Sequence, residues 1–295
     1  MKISIIIPVR NDRRIVNTIK GILLQKNIRD FEIIVVDASN GSLDDVKKMF
    51  ENKIRWVKYK NINNARKRTT VAQINLGVEK AKGDFIVYID ADCIPATDWL
   101  YELTKPLIYE NEYFVGGAVK SLNKKTHRDE QWDNLTKHKY VNCCANMNSA
   151  VRRELLEKVG KYDAIKFNYG WDVDYCWRAI NAGYRIKYVP TAVIYHDWGS
   201  AKSELKRSYR YGEARARLYK KHPDKIKDIL SEDPMAILYP LIILSLSIIM
   251  VFPYYSLIFP ILILNNLNRG NPFIIVLSHF AYGIGVIKGA ATLVR

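Results

Sequence analysis

Short apolar runs alternate with amphipathic segments over the first 110 residues. The runs at 3–8, 31–36 and 85–89 are almost entirely apolar, with Ser4 and Glu32 as their only polar residues, as in strands that are buried on both faces of a sheet. Between them, apolar residues recur every three or four positions, as on one face of a helix. This order predicts an α/β fold with a mainly parallel sheet and helices on both faces. The predicted strands cover 3–8, 31–36, 54–59 and 85–89, and the predicted helices lie around 16–23, 44–50, 71–81 and 100–107, the last capped by Thr97.

The pattern changes after residue 118. The segment 119–140 is rich in Lys, Asn, Thr and Asp, which predicts a long loop or an irregular insertion. Regular structure is predicted again at 151–159 and 172–182, followed by strands at 185–189 and 192–195.

The C-terminal tail is apolar. The 29 residues from 236 to 264 contain no charged side chain, and a second apolar run extends from 273 to 294. A helix of the first length would reach about 43 Å, more than the ~30 Å of a hydrocarbon core. We therefore expect a membrane domain at 236–295 with two transmembrane helices, 236–264 and 273–294. The alternative is a buried helical hairpin of a soluble protein.

Charge indicates how such a tail would be oriented. The formal net charge is +16, from 46 basic and 30 acidic residues, and the segment before the tail is rich in Lys and Arg. Lys288 lies near the end of the second apolar run, and Arg295 follows it. The positive-inside rule then predicts a multi-pass protein of the cell membrane with residues 1–230 in the cytoplasm.

Composition excludes several other classes of protein. The hydrophobic content of 48% excludes a disordered chain. The four cysteines include no C-x-x-C pair, which argues against a disulfide scaffold or a structural zinc site. Because the basic excess adjoins the apolar tail, lipid head groups are a better partner for it than nucleic acid. No Walker A motif occurs.

Acidic residues follow two of the predicted strands. Asp90 and Asp92 come directly after the run 85–89, and Asp37 ends the run 31–36. Two carboxylates at i and i+2 can face one hard cation such as Mg²⁺ or Mn²⁺. His196, after the last predicted strand, could complete the same site. The alternatives are a solvated strand end for the aspartates and a hydrogen-bonded structural histidine.

Asp172 and Asp174 begin the helix that is predicted at 172–182. A carboxylate at a helix N-terminus is stabilised as the anion. It can act as a general base if an acceptor hydroxyl lies within reach, or it can simply cap the helix.

Several segments together resemble family 2 glycosyltransferases. The match extends over about residues 2 to 200 in the order that is typical of that family. The segments that carry the resemblance are Ser4–Asn11 (SIIIPVRN), Ile34–Ser39 (IVVDAS), Ala81–Asp92 (AKGDFIVYIDAD), Asn146–Met147, Arg152–Asp163 (RRELLEKVGKYD) and Asp172–Ile186 (DVDYCWRAINAGYRI).

The resemblance implies a GT-A fold that binds a nucleotide-diphosphate sugar, a UDP-sugar favoured, and a divalent metal ion, Mn²⁺ or Mg²⁺. It also implies an inverting transfer by single displacement. The roles it implies are Pro8, Val9, Arg10 and Asp37 for the nucleoside, Asp90 for donor and metal, Asp92 and His196 for the metal, and Asp172 as general base.

Three departures from the family pattern are visible. Trp171 stands where the family often has Glu before the base. The usual Ala-Arg-Asn-x-Gly segment reads QINLG at 73–77 and lacks its Arg, for which Arg68 or Arg66 could substitute. The Gln-x-x-Arg-Trp motif of processive synthases is absent, which favours transfer of a single sugar.

The sequence as a whole predicts a metal-dependent, membrane-anchored, non-processive hexosyltransferase. The apolar tail favours an acceptor hydroxyl on a lipid-linked glycan. Two alternatives remain: a polyprenyl-phosphate monoglycosyl synthase, and a non-catalytic membrane protein that binds a nucleotide sugar.

Overall fold

A computed structural model describes residues 2–60, 69–123, 126–163 and 169–293. The chain divides into two compact units. The first comprises residues 1–124, 131–164 and 171–197, and the second comprises residues 125–130, 165–170 and 198–295. The second unit thus includes residues 198–230, which belong to the segment 1–230 that the sequence places in the cytoplasm.

The first half of the sheet in the first unit is parallel, as predicted. Its strands lie in the order β3-β2-β1-β4. The interior positions of β1 are fully buried, which explains its continuous apolar sequence. These strands are β1 (Ile3–Val9), β2 (Phe31–Asp37), β3 (Arg55–Lys58) and β4 (Phe85–Ile89).

The second half of the sheet is mixed, so the prediction of a mainly parallel sheet is wrong for this half. The full order is β3-β2-β1-β4-β8-β6-β9-β5, with β7 paired to β9. β8 runs antiparallel to both β4 and β6, whereas β6 and β9 are parallel. Hydrophobic periodicity does not encode strand direction, so it could not reveal this reversal. The additional strands are β5 (Cys93–Pro95), β6 (Phe114–Ser121), β7 (Tyr140–Val141), β8 (Asn148–Arg152) and β9 (Ile186–His196).

Seven helices lie between these strands among the described residues. Two details differ from the sequence prediction. The fourth helix begins at Trp99 and is preceded by Asp98, so Thr97 is not its N-cap. A polar helix lies within 119–140, where a long loop or an irregular insertion is predicted. The sequence pattern does not reveal this helix because it has no apolar stripe. The helices are α1 (Ile15–Leu23), α2 (Asp44–Met49), α3 (Thr69–Lys80), α4 (Trp99–Tyr109), α5 (His127–Leu135), α6 (Arg153–Val159) and α7 (Trp171–Asn181).

The second unit is helical from residue 201 onward. The predicted span 236–264 is not one helix, because short 3₁₀ segments interrupt it between 246 and 257. The last helix is long and apolar enough to cross a membrane. Two helical segments, Pro223–Glu232 and Met235–Met250, meet at a bend of 78° and reach that length only if they are counted as one span. The helices are α8 (Ala201–Lys221), α9 (Ile229–Glu232), α10 (Met235–Ser245), α11 (Ile258–Leu264) and α12 (Pro272–Ala291).

Candidate active site

The carboxyl ends of β1, β2 and β4 meet at one edge of the sheet. Val9 pairs with Asp37, so β1 and β2 end at the same level. Ile6 of β1 pairs with Tyr88 of β4. Pro8 follows Ile6 by two residues and Asp90 follows Tyr88 by two residues, so these predicted site residues come at the same level of the sheet. Ligands bind at this edge in parallel α/β sheets. The structure therefore brings the three predicted strand ends together.

Asp37 is buried and both of its carboxylate oxygens accept hydrogen bonds. Oδ1 accepts from the backbone N–H of Ser39 at 2.7 Å, and Oδ2 accepts from the indole N–H of Trp56 at 3.1 Å. A carboxylate oxygen can accept more than one hydrogen bond, so Asp37 can still bind a ligand. The nearby Arg10 is exposed. No sequence motif indicates the contact from Trp56, which lies on β3.

Gln73 joins the ends of β1 and β2 at this edge. Its side-chain amide donates to the carbonyl oxygens of Val9 at 2.8 Å and Val36 at 2.5 Å. This role was missed, although Gln73 belongs to the segment that departs from the family pattern. Arg68, the predicted substitute for the missing arginine, lies outside the described residues, as does Arg66.

Asp92 and His196 lie together at the end of β4. The Nε2 atom of His196 lies 3.4 Å from Oδ2 of Asp92. The strand pair β5–β9 accounts for this, because Cys93 pairs directly with His196. Potential ligand atoms of Asp92, Cys93 and His196 lie within 4.8 Å of one another. Arg14, which the sequence analysis also missed, places Nη2 3.2 Å from the same oxygen of Asp92.

The two aspartates differ in electrostatic environment. Desolvation, with the negative charges of Asp92 and Asp172, raises the pKa of Asp90. Burial also acts to raise the pKa of Asp92, but the hydrogen bond with His196 and the charge of Arg14 outweigh it and hold that pKa below its usual value. A cation at this position would relieve the excess negative charge around Asp90.

The donor set fits a hard divalent cation. Carboxylate oxygens and a neutral imidazole are suitable ligands for Mg²⁺ or Mn²⁺. Cys93 is fully buried, and burial raises the pKa of its thiol well above the usual value, with Asp90 and Asp92 adding to the effect. Without a bound metal ion this thiol is therefore protonated at neutral pH.

Asp172 is the second residue of α7 and lies in the electrostatic field of the same site. Its charge contributes to the raised pKa values of Asp90 and Cys144. Its Oδ1 accepts a hydrogen bond from the backbone N–H of Val173 at 2.9 Å, so it also contributes to the start of the helix. It is partly exposed. It lines a small cavity together with Phe114, Cys144, Asn146, Ser149, Tyr162, Tyr175 and Cys176.

Asp174, two residues later, has a different environment. Its side chain is completely buried and its Oδ2 lies 3.0 Å from Nε of Arg178. Arg178 in turn donates to the carbonyl oxygens of Val159 and Lys161. This aspartate is therefore part of the packing around α7, and of the two carboxylates only Asp172 faces the cavity.

Trp171 packs in an aromatic cluster next to the cavity. Its ring meets Tyr162 edge-on at 5.5 Å, and Tyr162 stacks on Tyr175 at 4.1 Å. Asn75 fixes the backbone of Tyr162 by accepting from its N–H at 3.1 Å and donating to its carbonyl at 2.9 Å. The residue that replaces the family's usual glutamate thus makes packing contacts.

The fold and the acidic strand ends define an α/β enzyme unit of the GT-A class. The chain belongs to glycosyl transferase family 2, whose family model matches residues 4–160. This confirms the resemblance that the sequence motifs indicate.

Individual relatives are distant. The chain is 25% identical over 245 residues to the pre-mycofactocin glycosyltransferase of Mycobacterium tuberculosis. This alignment covers 76% of this chain and 48% of the mycobacterial protein. It is 24% identical over 231 residues to the glycosyltransferase AglE of Haloferax volcanii, with 74% of each chain covered. The chain therefore spans about half the length of the mycobacterial relative.

A solved structure supports the fold. The crystal structure of S. aureus TarS superposes with a TM-score of 0.50 and 16% sequence identity, over 79% of this chain and 40% of that chain. At this level of identity the similarity concerns the fold alone.

Proposed function

We propose that this chain transfers one sugar from a nucleotide-diphosphate sugar, with a UDP-sugar favoured, to a hydroxyl of a lipid-linked glycan, with inversion at the anomeric carbon. The observation that carries the proposal is the meeting of Asp92 and His196 at the end of β4, 3.4 Å apart, where they offer oxygen and imidazole ligands for a divalent metal ion. Asp172, which lines a cavity, would supply the carboxylate that a single displacement requires.

Asp90, Asp92 and His196 are the proposed metal ligands. When bound, Mg²⁺ or Mn²⁺ would neutralise the charge that develops on the diphosphate leaving group. Pro8, Val9, Arg10 and Asp37 are proposed to hold the nucleoside, supported by the common level at which β1 and β2 end. Arg68 is proposed as a further donor contact on the family resemblance alone.

Asp172 is the proposed general base. It would accept the proton of the acceptor hydroxyl as the oxygen attacks the anomeric carbon from the face opposite the diphosphate. Its position on the cavity and its partial exposure support this role. A base on one side of the sugar and a leaving group on the other would give inversion.

The proposal of a lipid-linked acceptor rests on the apolar second unit, which has many exposed large hydrophobic side chains. The same feature fits a polyprenyl phosphate as the acceptor. That acceptor is already an anion, so it would scarcely need Asp172.

A variant series tests both roles in the full-length chain. We expect Asp172→Asn to lower the transfer rate by about 10²-fold or more if the acceptor is a hydroxyl, since general-base catalysis contributes at least this much. We expect Asp92→Asn to abolish metal-dependent transfer. Asp45→Asn is the matched control, because Asp45 is exposed and pairs with Arg13 at the surface.

Two outcomes would change the account. A near-normal rate for Asp172→Asn with intact metal dependence would favour a phosphate acceptor. Full activity of Asp92→Asn would refute the metal site.

A further inference from the structure

The charged helix α8 and the apolar helix α12 pack tightly side by side. Glycines allow the close approach. A side chain on Gly212 of α8 would collide with the carbonyl oxygen of Tyr282, and one on Gly285 of α12 would collide with that of Tyr209. At Gly289 the Cβ atom would lie 2.6 Å from the carbonyl oxygen of Glu213. The backbones are therefore in direct contact over several turns.

Polar contacts hold the C-terminal part of α12 against α8. Nζ of Lys288 lies 3.5 Å from Oε1 of Glu213. Arg217 donates to the hydroxyl of Thr292 at 3.1 Å, and Lys220 donates to the carbonyl of Leu293 at 3.3 Å. The end of the apolar helix is thus bound to the most basic part of α8.

A buried carboxylate lies against the middle of α12. The hydroxyl of Tyr282 donates to Oδ2 of Asp233 at 2.7 Å, and Nε of Arg215 lies 3.0 Å from the same oxygen. The side chain of Asp233 is only 12% exposed. Two charged groups therefore lie beside the middle of α12.

The loop before α12 also contacts a charged segment of this unit. Nε of Arg269 donates to Oε2 of Glu130 at 2.8 Å, and both residues belong to the second unit. If 236–264 and 273–294 were two complete spans, this loop would lie on the membrane face opposite residues 201–221. The ion pair of Arg269 with Glu130 holds the start of α12 beside a charged segment of the second unit. The hydrogen bond from Lys220 to Leu293 holds the end of α12 beside another, the end of α8.

Energetics decide against a crossing by α12. Ten of the 21 residues of α8 are charged, and charged side chains are costly at the centre of a membrane helix. α8 therefore stays out of the hydrocarbon core. Because α12 lies in backbone contact with α8, α12 cannot cross a core of ~30 Å without drawing those charges in.

The second unit nevertheless has a large apolar surface. More than ten large hydrophobic side chains are over 40% exposed, far more than scattered surface residues of a soluble unit. They lie on α10, on the 3₁₀ segments, on α11 and on α12. They are Leu238, Leu241, Leu244, Ile248, Met250, Val251, Phe252, Tyr254, Leu257, Ile261, Leu264, Leu267, Phe273, Leu277 and Ile284.

We propose that this apolar surface is seated in a single leaflet of a membrane and that neither 236–264 nor α12 crosses the bilayer. The occupant is lipid acyl chains. The same unit carries the exposed lysines Lys220, Lys221 and Lys227 at the end of α8 and just after it, and exposed lysines in a unit with an exposed apolar surface match anionic head groups. The proposal rests on contacts within the second unit and is independent of the transferase function.

The test uses three single reporter cysteines in the full-length chain. Asn52→Cys marks the first unit, Asn268→Cys marks the loop before α12, and Ala291→Cys marks the end of α12; all three positions are exposed. Right-side-out and inverted vesicles from the expression host are treated with a membrane-impermeant maleimide. Mass spectrometry of the labelled peptides separates each reporter from the four native cysteines, and detergent-solubilised protein gives the full reactivity of each site.

We expect all three reporters to react in the same vesicle orientation and to lose labelling in the other, with the protein retained in membranes after a high-salt wash. Reaction of Asn268→Cys alone in the orientation opposite to Asn52→Cys would establish two spans. Reaction of Ala291→Cys in the opposite orientation, with or without Asn268→Cys, would establish one span. Recovery of the protein in the supernatant would exclude lipid as the occupant. Each of the last three results overturns the proposal.

Discussion

Two aspartates of α7 show how neighbouring residues of the same type can have different roles. Asp172 is partly exposed on a cavity and interacts electrostatically with Asp90, whereas Asp174 is buried against Arg178. The sequence alone offered helix capping or catalysis for both. Burial, which depends on the packing of α7, separates them.

This difference gives a prediction for stability. Asp174→Ala should lower the free energy of unfolding by about 1.5–3 kcal/mol, because it removes a charged hydrogen bond from a buried site. Asp172→Ala should change it much less while reducing transfer. Urea unfolding followed by tryptophan fluorescence measures both variants, and equal destabilisation by the two substitutions would contradict the assignment.

Glu32 provides a pH-dependent contact away from the proposed metal site. Burial acts to raise its pKa, but the hydroxyl of Ser4 at 2.6 Å and the N–H of Lys82 at 2.7 Å lower it below its usual value. Because the folded-state pKa is the lower one, the contribution of Glu32 is complete above its unfolded pKa of about 4.3 and is lost as the pH falls through the folded value.

We therefore expect Glu32→Gln to lose less stability than the wild type between pH 5 and about pH 3. Thermal unfolding of both proteins at a series of pH values measures the difference. Parallel curves would show that the carboxylate makes no such contribution.

At the scale of secondary structure, the parallel half of the sheet was predictable and the mixed half was not. β1, β2 and β4 are mostly apolar because most positions on both of their faces are buried. The direction of β8 does not affect its hydrophobic pattern, and the polar helix α5 has no periodic apolar positions that would indicate a helix. The motifs located Asp37, Asp90 and Asp92 at strand ends, but the contacts from Trp56, Gln73 and Arg14 depend on neighbouring strands and helices that no local pattern identifies.

The pairing of α8 with α12 predicts a cross-link. Nζ of Lys288 on α12 lies 3.5 Å from Oε1 of Glu213 on α8. A zero-length carbodiimide should therefore join these two side chains in membranes, and mass spectrometry of the digested protein detects the joined peptides. Lys288→Arg is the matched control, because it keeps the positive charge but offers no amine for the amide bond. No cross-link in membranes would mean that the helices separate there.

At the scale of the whole molecule, two kinds of observation support one another. The family match over residues 4–160 and the sheet-edge carboxylates concern the first unit, whereas the apolar surface concerns the second. The sequence correctly identified an apolar tail after a charged body. It could not reveal that a charged helix packs along the last apolar segment, because helix pairing depends on tertiary structure.

The most direct measurement is nucleotide release by the detergent-purified chain with Mn²⁺, over a panel of UDP- and GDP-sugars, with and without a lipid-glycan extract. We predict release from one UDP-sugar that requires the extract and stops on chelation of the metal. Release that persists after chelation would contradict the metal-dependent mechanism. No release from any donor with any extract would contradict the assignment of this chain as a sugar transferase.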